Sequence, residues 1–169
     1  MYNSDYPWLT AGAVEFLKTF LEKNTKADVL EFGCGGSTKW LSPQVNKLIS
    51  IEHDLGWATK IGQEIPANTA IMHVPRPCNI VCAKFEDEAF DFILVDGRDR
   101  VACVLDSIRL LKPNGFLMLD NAERVEYRPA IDKLKLWPKV TTTGPGYDGT
   151  WNWRFHIPEW ETTWWQKPN

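Results

Sequence analysis

The sequence predicts an α/β protein: a doubly wound, mostly parallel sheet of about seven strands, closed by an antiparallel hairpin strand. Three observations carry this reading. Short apolar runs alternate with segments of helical apolar spacing, five times in succession. The runs are continuously apolar, as strands covered on both faces require. After the fifth repeat, residues 140–143 and 151–157 flank the turn-rich stretch 144–149, the pattern of two strands joined by a loop. A chain of 169 residues fits a single domain over 1–169.

The elements follow in order. Thr10 is placed to cap a helix whose apolar face is Val14, Leu17, Phe20 and Leu21. Residues 28–32 read as a buried strand running into Gly33-Cys-Gly-Gly-Ser-Thr38 and a short helix stopped before Pro43. Residues 47–52 form a second strand, 57–65 a helix and 70–74 a third strand, while 78–89 are ambiguous. Residues 90–96 form a fourth strand. The next helix carries Val101, Val104, Leu105, Ile108 and Leu111 and stops at Lys112-Pro-Asn-Gly115. Residues 116–120 are a fifth strand, and a helix from about Pro129 carries Ile131, Leu134 and Leu136.

Composition excludes several classes. A hydrophobic fraction of 44% with 24% charged residues is that of a globular protein rather than a disordered chain. No apolar run approaches the ~18 residues of a membrane span. The first residues lack the basic and apolar regions of a secretory leader, so a cytoplasmic chain is expected. A net charge of −3 argues against nucleic acid or an anionic membrane as partner. Four scattered cysteines read as free buried thiols. Cys78 and Cys82 share a helix face, but no second pair completes a zinc site.

Ligands of such sheets bind at the carboxyl ends of the strands, and the informative residues lie there. Glu31-Phe-Gly33, Glu52-His-Asp54, Asp96-Gly-Arg98 and Asp120-Asn121 all close strands. Glycines at 33, 35 and 36 permit a tight turn and bring bare backbone against a ligand. A dinucleotide fingerprint wants a third glycine where Thr38 stands, and a longer helix than Pro43 allows. Glu31 is a buried carboxylate suited to a cationic or amine-bearing ligand. Glu52, 19 residues beyond Gly33, is an acceptor-only group able to take both hydroxyls of a ribose. The plain readings are a β–α turn and a solvated strand-end acid; the combination favours a nucleoside site.

With these residues in view, the chain resembles the class I S-adenosylmethionine-dependent methyltransferases, whose sheet is Rossmann-like. The carrying segments are residues 29–38, 49–54, 90–97 and 111–121. Tyr6-Pro-Trp-Leu-Thr10 is similar to the start of a small-domain subgroup in which the phrase EFGxGGST recurs. The resemblance implies that Glu31, Gly33, Cys34 and Gly35 line the methionine part of S-adenosylmethionine, with Gly36, Ser37 and Thr38 completing the loop. Glu52 would hold the ribose, His53 or Trp57 would flank the adenine, and Asp96 would also line the cofactor.

Asp96, Asp120 and Asn121 close neighbouring strands and can converge. Two carboxylates and an amide oxygen make a hard, incomplete ligand set suited to Mg²⁺, which would lower the pKa of a coordinated hydroxyl. The pattern is similar to that of the catechol-type and macrolide-sugar O-methyltransferases. Those of the catechol type carry a lysine base where this chain has Asp99. Asp99 is therefore either a base or a helix cap. Arg98 and Arg100 would clamp an anionic or polyhydroxy substrate, or pair with Asp99 or Glu123. The catalytic candidates are thus Asp96, Asp99 and Asp120.

The expected activity is methyl transfer from S-adenosylmethionine to oxygen of a small polar or carbohydrate-like acceptor, with divalent-metal assistance. The rivals are a nucleoside-binding module without transfer and a nucleotide-dependent oxidoreductase. Five of the nine tryptophans fall in residues 151–169. Trp151, Trp153 and Phe155 would form one row on a strand. A tail over 159–169, with Trp160, Trp164 and Trp165, would cover apolar surface on its own domain or across a homo-oligomer partner.

Overall fold

The computed structural model describes residues 5–144 and 160–169. Twelve regular elements alternate: α1 (Ala11–Lys23), β1 (Asp28–Phe32), α2 (Gly36–Leu41), β2 (Lys47–Glu52), α3 (Leu55–Gly62), β3 (Thr69–His73), β4 (Phe90–Val95), α4 (Arg100–Ser107), β5 (Leu111–Asp120), α5 (Arg128–Lys133), β6 (Lys139–Thr143) and β7 (Glu161–Gln166). They build one seven-stranded sheet in the order β3-β2-β1-β4-β5-β7-β6. The first five strands are mutually parallel, and β7 runs antiparallel to both neighbours. The fold class read from the sequence is the one observed. The order reverses between β1 and β4, the switch point outside which sheets of this kind bind ligands.

Each face of the sheet is covered, which is why the central strands read as unbroken apolar runs. Ala13, Val14, Leu17, Phe20 and Leu21 of α1 pack on one face with Val29, Phe92, Leu94 and Met118. Cys103 and Val104 of α4, with Ala130 and Leu134, pack on the other with Leu30, Ile93 and Leu119. The segment left ambiguous by the sequence holds a 3-10 turn over Cys78–Lys84 that buries Cys78, Val81 and Cys82. All four cysteines are free and buried. No helix among the described residues is long and apolar enough to cross a membrane.

Local expectations are corrected at four points. Thr10 precedes α1, but its side chain makes no capping bond. Its hydroxyl lies 2.6 Å from that of Thr142, and its amide donates to Thr162 Oγ1 at 3.1 Å, fastening the chain start to β6 and β7. The helix after β2 begins at Leu55, capped by Asp54, which accepts the Trp57 amide at 2.8 Å. Helix α5 ends at Lys133, and Leu136 beyond it is exposed. Strand β5 begins at Leu111, so 112–115 belong to the strand, with the pairing to β4 shifted between Phe90 and Phe92.

The tryptophan-rich end holds a further difference. Residues 161–166, read from sequence as part of a covering tail, are β7, inserted between β5 and β6. Trp164 stacks on Phe16 with centroids 4.5 Å apart, and Trp165 is fully buried in the core beyond the opposite face. Burial on both sides removes any alternation by which the strand could be recognised. The row of Trp151, Trp153 and Phe155, and the strand expected over 151–157, lie outside the described residues.

Candidate functional site

The carboxyl ends of β1, β2, β4 and β5 place two clusters beside one another, a glycine turn and an acidic end. At the turn, Gly33 adopts φ +101°, a conformation side chains rarely hold. It lies directly against Gly97 at the end of β4. A Cβ on Gly33 would stand 2.8 Å from the Gly97 nitrogen and Cα. Beyond this pinch the loop opens: a Cβ on Gly35 would meet only Trp57 Cζ2, at 4.0 Å. Trp57 lies along the loop and donates its indole N–H to Cys34 O at 2.7 Å. Helix α2 is only six residues long, in keeping with the absence of a pyrophosphate fingerprint.

Glu52 closes β2 and is held in place before any ligand arrives. Its Oε1 accepts the amides of His53 at 2.8 Å and Asp54 at 2.9 Å, and lies 2.6 Å from His53 Nδ1. Its Oε2 accepts the Cys34 amide at 3.1 Å. A carboxylate offers about four lone-pair positions, so Oε2 retains one. His53 is partly exposed at the same rim, and its carbonyl lies 3.1 Å from His73 Nε2.

Four residues expected to line the cofactor have buried side chains. Glu31 is fully buried beneath the turn. It accepts hydrogen bonds from Ser37, from Thr38 at 2.6 Å and from Ser50 at 2.7 Å. Burial raises its pKa to about 7 against the pull of these three hydroxyls. Thr38 also accepts the Gly35 amide at 2.8 Å. The side chains of Glu31, Ser37 and Thr38 thus shape the turn from below. Cys34 is buried as well, and burial pushes its thiol pKa up. Gly35 is the open part of the loop.

At the acidic end, Asp96 follows β4 and Asp120 closes β5. Asp96 retains a side-chain exposure of 25%, against 3% for Asp120, so of the two Asp96 is the one that meets solvent. Asp120 Oδ1 accepts from Trp160 Nε1 at 2.9 Å and from Thr162 Oγ1 at 2.7 Å. Burial and the neighbouring Asp96 charge hold its pKa well up. Burial also raises Asp96, with the Arg100 guanidinium opposing it. Asn121 adopts φ +54°, a turn conformation asparagine tolerates.

The expected magnesium site does not fit this arrangement. Arg100 Nη2 donates to Asp96 Oδ1 at 2.9 Å, and Nη1 donates to Asn121 Oδ1 at 3.3 Å and lies 3.9 Å from Asp120 Oδ2. All three of the proposed ligands therefore face a guanidinium. Arg100 is also buried; of the two readings the sequence left open, substrate clamp or internal ion pair, it takes the second, with Asp96 in place of Asp99 or Glu123.

Asp99 is corrected too. It precedes α4 at φ +54° but makes no side-chain cap bond. It accepts from Arg76 Nε at 3.0 Å and from the Cys78 amide at 3.1 Å. The Arg76 contact holds its pKa below the usual carboxylate value, which disfavours it as a base.

Sequence reasoning missed Asp96, Asp120 and Asn121 as the partners of Arg100, Ser50 as a partner of Glu31 and Trp160 as a partner of Asp120. A signal existed for Arg100: a cation in the first turn of a helix opposes the helix dipole, so its charge is spent elsewhere. A groove of about 670 Å³ between Asn79, Ile80, Leu105 and Arg109 is lined by none of the strand-end residues.

No family model and no curated protein matches the chain. Solved structures do match. The NodS N-methyltransferase of Bradyrhizobium japonicum, in complex with S-adenosyl-L-homocysteine, superposes with TM-score 0.61 at 17% identity, over 98% of this chain and 90% of that one. The precorrin 8W decarboxylase of Methanobacterium thermoautotrophicum gives 0.67 at 18%, over 100% of both chains. The tRNA methyltransferase TrmI of Aquifex aeolicus gives 0.69 at 11%, over 100% of this chain and 72% of that one. At such identities the likeness is one of architecture: the chain has the class I methyltransferase fold.

Proposed function

We propose that the chain is an S-adenosylmethionine-dependent methyltransferase acting on oxygen of a small polar or sugar-like acceptor. The observation that carries this reading is the preorganised Glu52 carboxylate at the end of β2, bonded to the loop after β1 beside its open Gly35 face. The residues fit the cofactor: Glu52 would take a ribose hydroxyl on Oε2, Gly35 would admit the chain to the loop, and Trp57 or His53 would border the base. When bound, the cofactor supplies an activated methyl group on a sulfonium.

The protein's share is then alignment and deprotonation. Asp96 is the acid that meets solvent beside the loop and is assigned the acceptor proton; Asp120 and Arg100 position it. A carboxylate in this place can take the proton of a hydroxyl acceptor. The similar structures named for N-methyl and tRNA methyl transfer support a nitrogen acceptor as the alternative.

The test is incubation of the purified protein with methyl-labelled S-adenosylmethionine and fractionated polar small molecules. Labelled product together with S-adenosylhomocysteine supports the reading, and the product's methylated atom distinguishes oxygen from nitrogen. Binding of S-adenosylhomocysteine with no labelled product from any fraction would favour a nucleoside-binding module.

A further inference from the structure

Arg100 lies in the first turn of α4, buried between the ends of β4 and β5. A guanidinium has five N–H groups. Nε donates to Gly97 O at 3.0 Å. Nη1 donates to Asp120 O at 2.5 Å and Asn121 Oδ1 at 3.3 Å. Nη2 donates to Asp96 O at 2.8 Å and Asp96 Oδ1 at 2.9 Å. All five donors are spent inside the protein. The Tyr127 ring lies 5.6 Å from the guanidinium carbon, adding a π face to a cation already surrounded by oxygen.

We propose that Arg100 is the resident cation of this site, filling the space among Asp96, Asp120 and Asn121 and keeping divalent metals out of it. Two consequences follow from the donor count. A metal ion there would have to displace a guanidinium held by five hydrogen bonds, so none is held among these three residues. Arg100 has no donor left for an acceptor molecule, so it is a positioning residue: it holds Asp96 at the end of β4 and joins that strand end to β5. Neither consequence depends on methyl transfer being the reaction.

Removal of the guanidinium should uncover the latent oxygen set. Free manganese, followed by the paramagnetic resonance of the hydrated ion, is the probe. Wild type is expected to leave Mn²⁺ free at millimolar concentration. Arg100→Ala, checked by circular dichroism to be folded, should bind Mn²⁺ at least tenfold more tightly than wild type. Adding Asp96→Asn to that variant should abolish the gain. Folded Arg100→Ala that binds no better than wild type would overturn the proposal. Arg100→Met, of similar length and no charge, takes its place if the alanine variant does not fold. If neither folds, the wild-type arm decides. Mn²⁺ bound by wild type and lost in Asp96→Asn overturns the proposal, and absence of such binding supports it.

Discussion

Gly33 and Gly97 meet backbone to backbone at the ends of β1 and β4. A Cβ on Gly33 would lie 2.8 Å from the Gly97 Cα, and one on Gly97 would lie 3.0 Å from the Gly33 Cα. The contact draws the glycine turn against the start of the acidic end. Gly33→Ala must hold φ +101° and also push the two strand ends apart. It should destabilise by about 2–4 kcal/mol. Gly97→Ala, which meets the clash without the positive φ, should cost about 1–3 kcal/mol. Urea midpoints of the two variants check the order; a Gly33→Ala midpoint equal to wild type would contradict the close approach.

Glu52 bears on cofactor affinity. Charge-assisted hydrogen bonds contribute about 1.5–3 kcal/mol each, so loss of one to ribose weakens binding at least about tenfold. Titration calorimetry with S-adenosylhomocysteine should show this for Glu52→Ala. Glu52→Gln keeps an acceptor for the His53 and Asp54 amides and should lose less. Unchanged affinity in Glu52→Ala would remove the ribose assignment.

Asp96 and Asp99 are separated by their surroundings rather than by their chemistry. Asp96→Asn should lower kcat by about 10²–10⁴, the contribution of a positioned base, while S-adenosylhomocysteine still binds. Asp99→Asn removes the charge that faces Arg76 and leaves one oxygen where Arg76 and the Cys78 amide now use two, so it should lower the melting temperature with kcat retained. The reverse pattern, kcat lost at Asp99 and kept at Asp96, would exchange their roles.

Glu31 makes stability depend on pH. Its folded pKa, about 7, stands above the ordinary 4.5, so the folded state binds the extra proton between these values. Its contribution is fully present below pH 4.5 and is lost as pH rises towards 7. A shift of this size corresponds to roughly 3 kcal/mol. Glu31→Gln, neutral throughout, should flatten that part of the profile. Urea denaturation of both proteins across this interval measures the difference, and parallel profiles would refute the buried-acid account.

The sequence by itself determined the parallel core, the switch point and the strand-end positions of Glu52, Asp96 and Asp120. These are written in local periodicity and in polar residues that interrupt apolar runs. Tertiary structure alone decided which way those side chains look. Ser37 and Thr38 bond Glu31 across the turn, Ser50 reaches it from β2, and Arg100 gathers oxygens from two strand ends. Each of these choices is a contest between burial cost and hydrogen-bond partners far apart in the chain, which spacing does not encode. The same holds for β7. Glu-Thr-Thr-Trp-Trp-Gln has no period of its own. It becomes a strand because β5 and β6 offer open edges on both sides and the two cores receive Trp164 and Trp165.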